Sequence, residues 1–390
     1  MSTGPGDILE LIRRGMAPTR RDLQLTTGLS RITVAQRVDA LIDAGLVKEA
    51  GEGRSTGGRR PSRLVFDVGH TALAVAAVDT RHAVTAITDL GGTVLERAHI
   101  SIDITEGPQA VLGTLTESLE ELSGRSGVSG LSLSGAGICV PGPVDRQTGH
   151  PAQPPIMPGW DGYPIGEHIG DALRSLKGPR FTGPVFVEND ADAMAFGEYS
   201  SDYRDCPSLC LLKVSTGIGA GLVIGGQVYG GVDGGAGDIG HIRLGGETAV
   251  CQCGSPGCVA AVASGRAVAR ELTRRGIPAR SGSDVGRLLA NGQADAVALT
   301  HEAGRRIGEV MATVVSMVNP GILVVGGDLA STPLIGGLRE TLYPRTLARA
   351  TRNLDVRLST LGADAGIVGM ARIAADRLFS AEAVNSRLAG

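Results

Sequence analysis

The sequence predicts an N-terminal all-α winged helix-turn-helix joined to a two-lobed α/β body. Three observations predict it. Helical apolar spacing with good caps fills the first 45 residues, an Arg/Gly-rich stretch follows, and from Leu64 onward apolar strands alternate with helices. At 390 residues the chain is longer than one ordinary domain, and 42% hydrophobic with 20% charged residues suits sizeable cores. Fifty-nine glycines and 3% aromatics imply cores of Ala, Val, Leu and Ile joined by tight turns.

In the N-terminal segment, "DILELIRRG" reads as a short amphipathic helix with Ile8, Leu11 and Ile12 on one face. Thr19 caps a second helix that ends at Gly28. Ser30 caps a third, whose Val34, Val38, Leu41 and Ile42 fall at helical spacing before Gly45. Two helices joined by a glycine-containing turn follow helix-turn-helix logic. Ser30 opens the third helix, and Arg31, Thr33, Gln36 and Arg37 face away from its apolar stripe, where such side chains suit base edges and phosphates. "GRSTGGRRP" then reads as the tip of a wing, offering Arg54, Arg59 and Arg60 to a DNA backbone or minor groove. Net charge is only −3, but residues 1–64 hold eleven basic against seven acidic side chains, which leaves −7 for the remainder. The charge pattern is that of a basic appendage on an acidic body.

The expected division is 1–63 for the DNA-binding domain and 64–390 for the body. Lobe one spans about 64–188 plus the C-terminal helix, and lobe two about 189–362. The body opens with a three-strand meander, "LVFDVGHTALAVAAVD", "AVTAITD" and "TVLERAHI", followed by a helix near Pro108–Leu122. Three glycine loops fit phosphate-cradling turns: "DVGHT" with Asp67, Gly69 and Thr71, "STGIGAG" with Thr216, Gly217 and Gly219, and "VVGGDLA" with Gly326 and Gly327. "VEND" ends a strand before a helix. Asp190 there can act as a proton acceptor in a cleft, or the acidic run can simply cap the helix. Cys251, Cys253 and Cys258 crowd into eight residues, ten positions after His241, a set open to metal binding or to redox chemistry. Cys139, Cys206 and Cys210 read as core thiols, and Trp160 suits either core packing or a cleft wall. The N-terminus lacks a signal-peptide core and no segment has a membrane-spanning apolar run, so the expected location is cytoplasmic, with no membrane partner.

With "RSTGGRRP", "VPGPVD", "PGW", "END", "TGIGAG", "GDIGH" and "CQCGSPGC" in this order, the chain resembles the ROK family of repressors, open reading frames and kinases, in its transcription-factor branch. The resemblance implies an actin-like ATPase fold, that is, a sugar-kinase-like, RNase H-like bilobal body. It implies homodimers or homotetramers, operator DNA as partner, and a sugar or sugar-phosphate effector. It assigns Asn189, Asp190, Asp238 and His241 to the sugar site, and His241, Cys251, Cys253 and Cys258 to one structural Zn²⁺ per chain, a Cys₃His set suited to a closed tetrahedral site. Departures from the kinase pattern are His70 in the first loop, Asp238 for Glu, Ala260 for Glu, and Ile156 for Asn. The expected function is a sugar-responsive repressor with a non-catalytic body. The rivals are an active kinase with Asp190 as base, and a DNA-binding protein whose body only oligomerises.

Overall fold

The computed structural model describes residues 4–52, 62–67, 71–176 and 181–389. Helices α1 (Pro5–Arg13), α2 (Arg20–Thr27) and α3 (Arg31–Asp43) start where capping residues stand. The Thr19 side chain accepts from the Asp22 amide and Ser30 from the Thr33 amide, and Gly28 closes α2 in the left-handed conformation that glycine tolerates best. Ile8, Leu9, Ile12, Leu23, Val34, Val38 and Leu41 share one core. On α1, Ile8 and Leu9 are fully buried and Leu11 is only a partly buried flank.

The wing is a hairpin of β1 (Val47–Glu52) and β2 (Ser62–Phe66), paired antiparallel with Val47 opposite Phe66. Its tip, with Arg54, Arg59 and Arg60, lies outside the described residues, as do Gly69 and His70. This pairing corrects one expectation. Ser62–Phe66 belongs to the wing and not to the body, so the "DVGHT" segment connects the two parts rather than joining two strands of one sheet.

The body sheets are built alike. In lobe one the order is β5 (Val94–Ser101), β4 (His82–Thr88), β3 (Thr71–Val78), β6 (Ser132–Val140), β7 (Val185–Asn189). In lobe two it is β10 (Gln227–Val228), β9 (Ile218–Ile224), β8 (Ser208–Val214), β11 (Ile322–Gly326), β12 (Asp355–Leu358). Each sheet has an antiparallel first hairpin, β3–β4 or β8–β9, and each first strand is flanked on its other side by two parallel strands. The turn Asp79–Arg81 in lobe one therefore occupies the place that Ser215–Gly217 holds in lobe two.

Helices α4 (Pro108–Ser123) and α5 (Ile165–Ser175) cover lobe one, and α6 (Asp190–Asp202) leads from β7 towards lobe two. Lobe two carries α7 (Val259–Ala263), α8 (Gly265–Arg274), α9 (Gly282–Ala290), the long α10 (Ala294–Val318), α11 (Thr332–Arg345) and α12 (Ala348–Thr351). The chain then returns: α13 (Ala365–Leu378) packs on α6, β3 and β6, and α14 (Ala381–Ala389) packs on α1. Trp160 is fully buried in the lobe-one core and donates its indole N–H to the Ile104 carbonyl at 3.1 Å, so it is a core residue. Cys139 and Cys210 are buried and Cys206 is half-buried.

The helix-turn-helix is docked on the body through this returning segment. Phe66 meets Phe379 edge-on at 5.0 Å, Arg13 pairs with Asp376 at 2.8 Å, and the Asn385 side chain accepts from the Gly6 amide at 2.7 Å. The hydrophobic cluster of α1–α3 is continuous with that of α13 and α14.

Candidate functional site

A cleft of about 300 Å³ opens between the lobes. Its floor is set by the start of α6. Asn189 caps that helix, its side-chain oxygen accepting from the amides of Ala191 and Asp192, while its Nδ2 donates to the Gly142 carbonyl at 2.9 Å. This fixes Asp190 at the first helical position, facing the cleft. Close approach of α6 to β9 requires glycine at Gly221, where a Cβ would fall 2.2 Å from the Ala191 carbonyl oxygen.

Lys213 stands at the centre. Its ammonium pairs with Asp79 Oδ2 at 2.8 Å and with Asp190 Oδ2, and all three side chains are about nine-tenths buried. Burial raises the Asp79 carboxyl, but the Lys213 charge and hydrogen bond outweigh it and hold the group at about 2. Burial lifts Asp190 above the usual aspartate range against the opposing pull of Lys213. Burial lowers Lys213, yet the two carboxylates more than reverse this and leave it firmly protonated. Beside the trio, the Thr80 hydroxyl donates to Thr216 Oγ1 at 2.8 Å, tying the lobe-one turn to its lobe-two counterpart.

Among the described residues of the three expected glycine loops, Thr216, Gly217 and Gly219 line the cleft. Gly327 sits behind, in a left-handed conformation against Val214 and Ser215, and the following amide of Asp328 donates to Ser215 Oγ at 3.1 Å, so Gly326 and Gly327 support the loop from outside the cleft. Asp67 and Thr71 are elsewhere. Asp67 pairs with Lys48 of the wing at 2.8 Å, and the Thr71 hydroxyl bonds to Ser134. The turn that reaches the cleft in lobe one is Asp79–Thr80–Arg81–His82, which contains no glycine. Sequence reading missed Asp79, Thr80 and Lys213. The signal was a lysine inside the apolar strand "LCLLKV", and a hairpin matching "STGIGAG" in topology rather than composition.

The opposite wall is the "GDIGH" turn. Gly237 takes φ +96 and lies so close to Ala220 that a Cβ would fall 2.0 Å from its carbonyl oxygen, which seats the turn against β9. Asp238, His241, Ala260 and Ile156 all line the cleft, so each of these expected positions is at the site. So is Arg266, at the start of α8, which has no hydrogen bond or ion pair among the described residues and is kept partly desolvated.

Behind this wall, His241, Cys251, Cys253 and Cys258 converge, with one ligand atom from each lying within 4.8 Å of the others. Cys251 Sγ is 3.6 Å from His241 Nδ1 and Cys253 Sγ is 3.6 Å from Cys258 Sγ. A tetrahedron with metal–sulfur bonds of about 2.3 Å has edges of about 3.7 Å, so the donor set fits zinc. With Nδ1 turned to the sulfurs, Nε2 is directed into the cleft, where the Asp238 carboxylate lies 3.8 Å away.

On α3, Arg31 and Gln36 are exposed, Thr33 and Arg37 half-buried. The Ser30 and Thr33 hydroxyls bond each other at 2.8 Å in the cap. One terminal nitrogen of Arg37, Nη1, is buried without a partner among the described residues.

The ROK family pattern matches residues 74–377 of this chain. The chain belongs to the ROK family. It is 28% identical to a xylose repressor of Bacillus spizizenii over 373 residues, covering 94% of this chain and 93% of that protein. It is 30% identical to a glucokinase of Thermotoga maritima, but over 74% of this chain and 96% of the kinase. In structure it matches a ROK family transcriptional regulator, a homologue of the Escherichia coli MLC protein, with a TM-score of 0.81 at 25% identity over 99% of this chain and 98% of that one. The body therefore has the actin-like fold of ROK sugar kinases. The repressor and regulator matches span 94% and 99% of this chain, the glucokinase match 74%.

Proposed function

We propose that this chain is a sugar-responsive DNA-binding repressor whose body binds a sugar as effector and does not phosphorylate it. The observation that carries this reading is the lobe-one turn. Phosphate loops use glycine so that backbone amides can approach the phosphate oxygens, and here Asp79, Thr80, Arg81 and His82 occupy that turn while the Lys213 ammonium fills the space between it and Asp190. The full-length similarity to xylose repressors supports the same conclusion.

In this reading Asn189, Asp190, Asp238 and His241 meet the sugar hydroxyls. His241, Cys251, Cys253 and Cys258 hold a structural zinc that pins the "GDIGH" turn. Arg31, Thr33, Gln36 and Arg37 face operator DNA with the wing arginines, and Ser30 sets the start of that helix. The working unit is a homodimer or homotetramer in the cytoplasm. Sugar closes the cleft, and because α13 and α14 connect lobe one to α1, closure changes the spacing of the paired helix-turn-helix units and releases DNA.

The test is operator binding by fluorescence anisotropy with and without D-xylose, D-glucose and their phosphates, run beside a coupled ADP-release assay. Operator release by one of these without ADP release is the expected result. Turnover abolished by Asp190→Asn would instead establish a kinase.

A further inference from the structure

We propose that Lys213 is a built-in counter-ion, a positioning residue that joins the two lobes through Asp79 and sets the charge and orientation of Asp190, so that the cleft is organised for a neutral polyhydroxyl ligand without a nucleotide or divalent cation. The assignment of Asp190 to the sugar site rests on the reading above. The counter-ion role does not.

Three features carry it. First, Asp79 comes from the lobe-one turn, Lys213 from the central strand of lobe two, and Asp190 from the first turn of the connecting helix α6, so a single ammonium on one part of the body bonds to two others. Second, the trio is about nine-tenths buried, so little water screens the two carboxylates from each other. With the lysine present one cation stands between two anions. Without it, two carboxylates face one another and one must take up a proton, because like charges in a desolvated site suppress each other's ionisation. A protonated Asp190 donates a hydrogen bond where a carboxylate accepts, which changes the hydroxyl geometry the cleft recognises.

Third, phosphoryl transfer places metal cations and phosphate oxygens between the phosphate loops and the carboxylate that accepts the hydroxyl proton. Here that space is crossed by Asp79–Lys213–Asp190, with Thr80 bonded to Thr216 alongside. The protein supplies its own cation where a transferring enzyme would need a bound one. The other titratable groups facing the trio are Asp328 and His82 towards Asp79, and Cys139 and Asp192 towards Asp190, with Glu188 beyond them against Cys139 and Asp192 and paired with Arg377.

The test uses the full-length chain in two arms. Thermal unfolding without ligand is followed from pH 5.5 to 8 for the native chain, Lys213→Met and Lys213→Met/Asp79→Asn. Lys213→Met is expected to lower Tm by about 5 °C at pH 8 and by clearly less at pH 5.5, where one carboxyl protonates. Removing the second carboxylate in the double variant restores most of the loss. Equal losses at both pH values, or a double variant no better than the single one, would overturn the proposal. In the second arm D-xylose and D-glucose are titrated calorimetrically. Lys213→Met is expected to weaken binding about tenfold and to move its pH dependence upward, while unchanged affinity and pH profile would count against the positioning role. Absence of heat with the native chain would count against the sugar-sensor reading and leave the thermal arm to decide Lys213.

Discussion

Truncating Phe379 to alanine tests how the DNA-binding unit is held. Phe379 is 3% exposed and lies edge-on to Phe66 of the wing at 5.0 Å. The Arg13 guanidinium sits 5.3 Å from the Phe66 ring and 5.8 Å from the Phe379 ring, and Arg387 lies 5.6 Å from the latter. Loss of a buried phenyl costs about 3–5 kcal/mol in transfer and cavity terms. The edge-on pair adds about 0.5–1.5 kcal/mol, and the cation contacts about 0.5–1 kcal/mol at partly exposed sites. These contributions share the same atoms and do not sum, so about 4 kcal/mol is a fair total. Much of it acts across the junction between α1–β2 and α13–α14. In scanning calorimetry Phe379→Ala is therefore expected to separate a low-temperature transition, that of the helix-turn-helix, from the body. Leu122→Ala, deep in the lobe-one core, is expected to shift the body transition without separating one. Operator affinity of Phe379→Ala should also lose most of its sugar response, because lobe movement no longer reaches α1. A single shifted transition with an intact sugar response would refute the reasoning.

Three further outcomes are expected. Purified protein should contain about one zinc per chain by elemental analysis. Cys258→Ser or chelation should remove it and weaken sugar binding at least about tenfold by freeing the Gly237–His241 turn. Ala260→Glu places a hydroxyl acceptor in the cleft at the start of α7 and should tighten D-glucose binding about tenfold by calorimetry, one charge-assisted hydrogen bond being worth about 1.5 kcal/mol or more. Acid sensitivity follows from Asp79. Its folded value of about 2 lies below the unfolded 3.8, so its stabilisation is complete above the unfolded value and is lost as pH falls through the folded one. Urea unfolding at pH 5 and pH 3 should show a smaller acid-induced loss in Asp79→Asn than in the native chain, by on the order of 1 kcal/mol.

Much of the molecule was legible in the chain because local chemistry dictated it. The caps Thr19 and Ser30, the turn at Gly28 and the apolar spacing of α3 place the helix-turn-helix through contacts only a few residues apart. The Cys₃His cluster was legible for the same reason, since its three cysteines share one short loop and His241 is ten residues away. The family pattern then carried Asn189, Asp190, Asp238 and Ala260 to one cleft.

Other features were decided by tertiary structure. "DVGHT" looked like the first phosphate loop because its composition fits one. Composition cannot say which strand pairs with which, and Ser62–Phe66 pairs within the wing, so Asp67 bonds to Lys48 and Thr71 to Ser134 instead of reaching the cleft. The true counterpart of "STGIGAG" lacks glycine and is recognised only by its position in a repeated strand order. Lys213 illustrates the same limit. A lysine in an apolar strand signals a buried charge, but its partners lie 134 and 23 residues away. Only the packing of two lobes onto α6 brings Asp79 and Asp190 to one ammonium, because electrostatic pairing in a desolvated site depends on distances in space that sequence spacing does not contain.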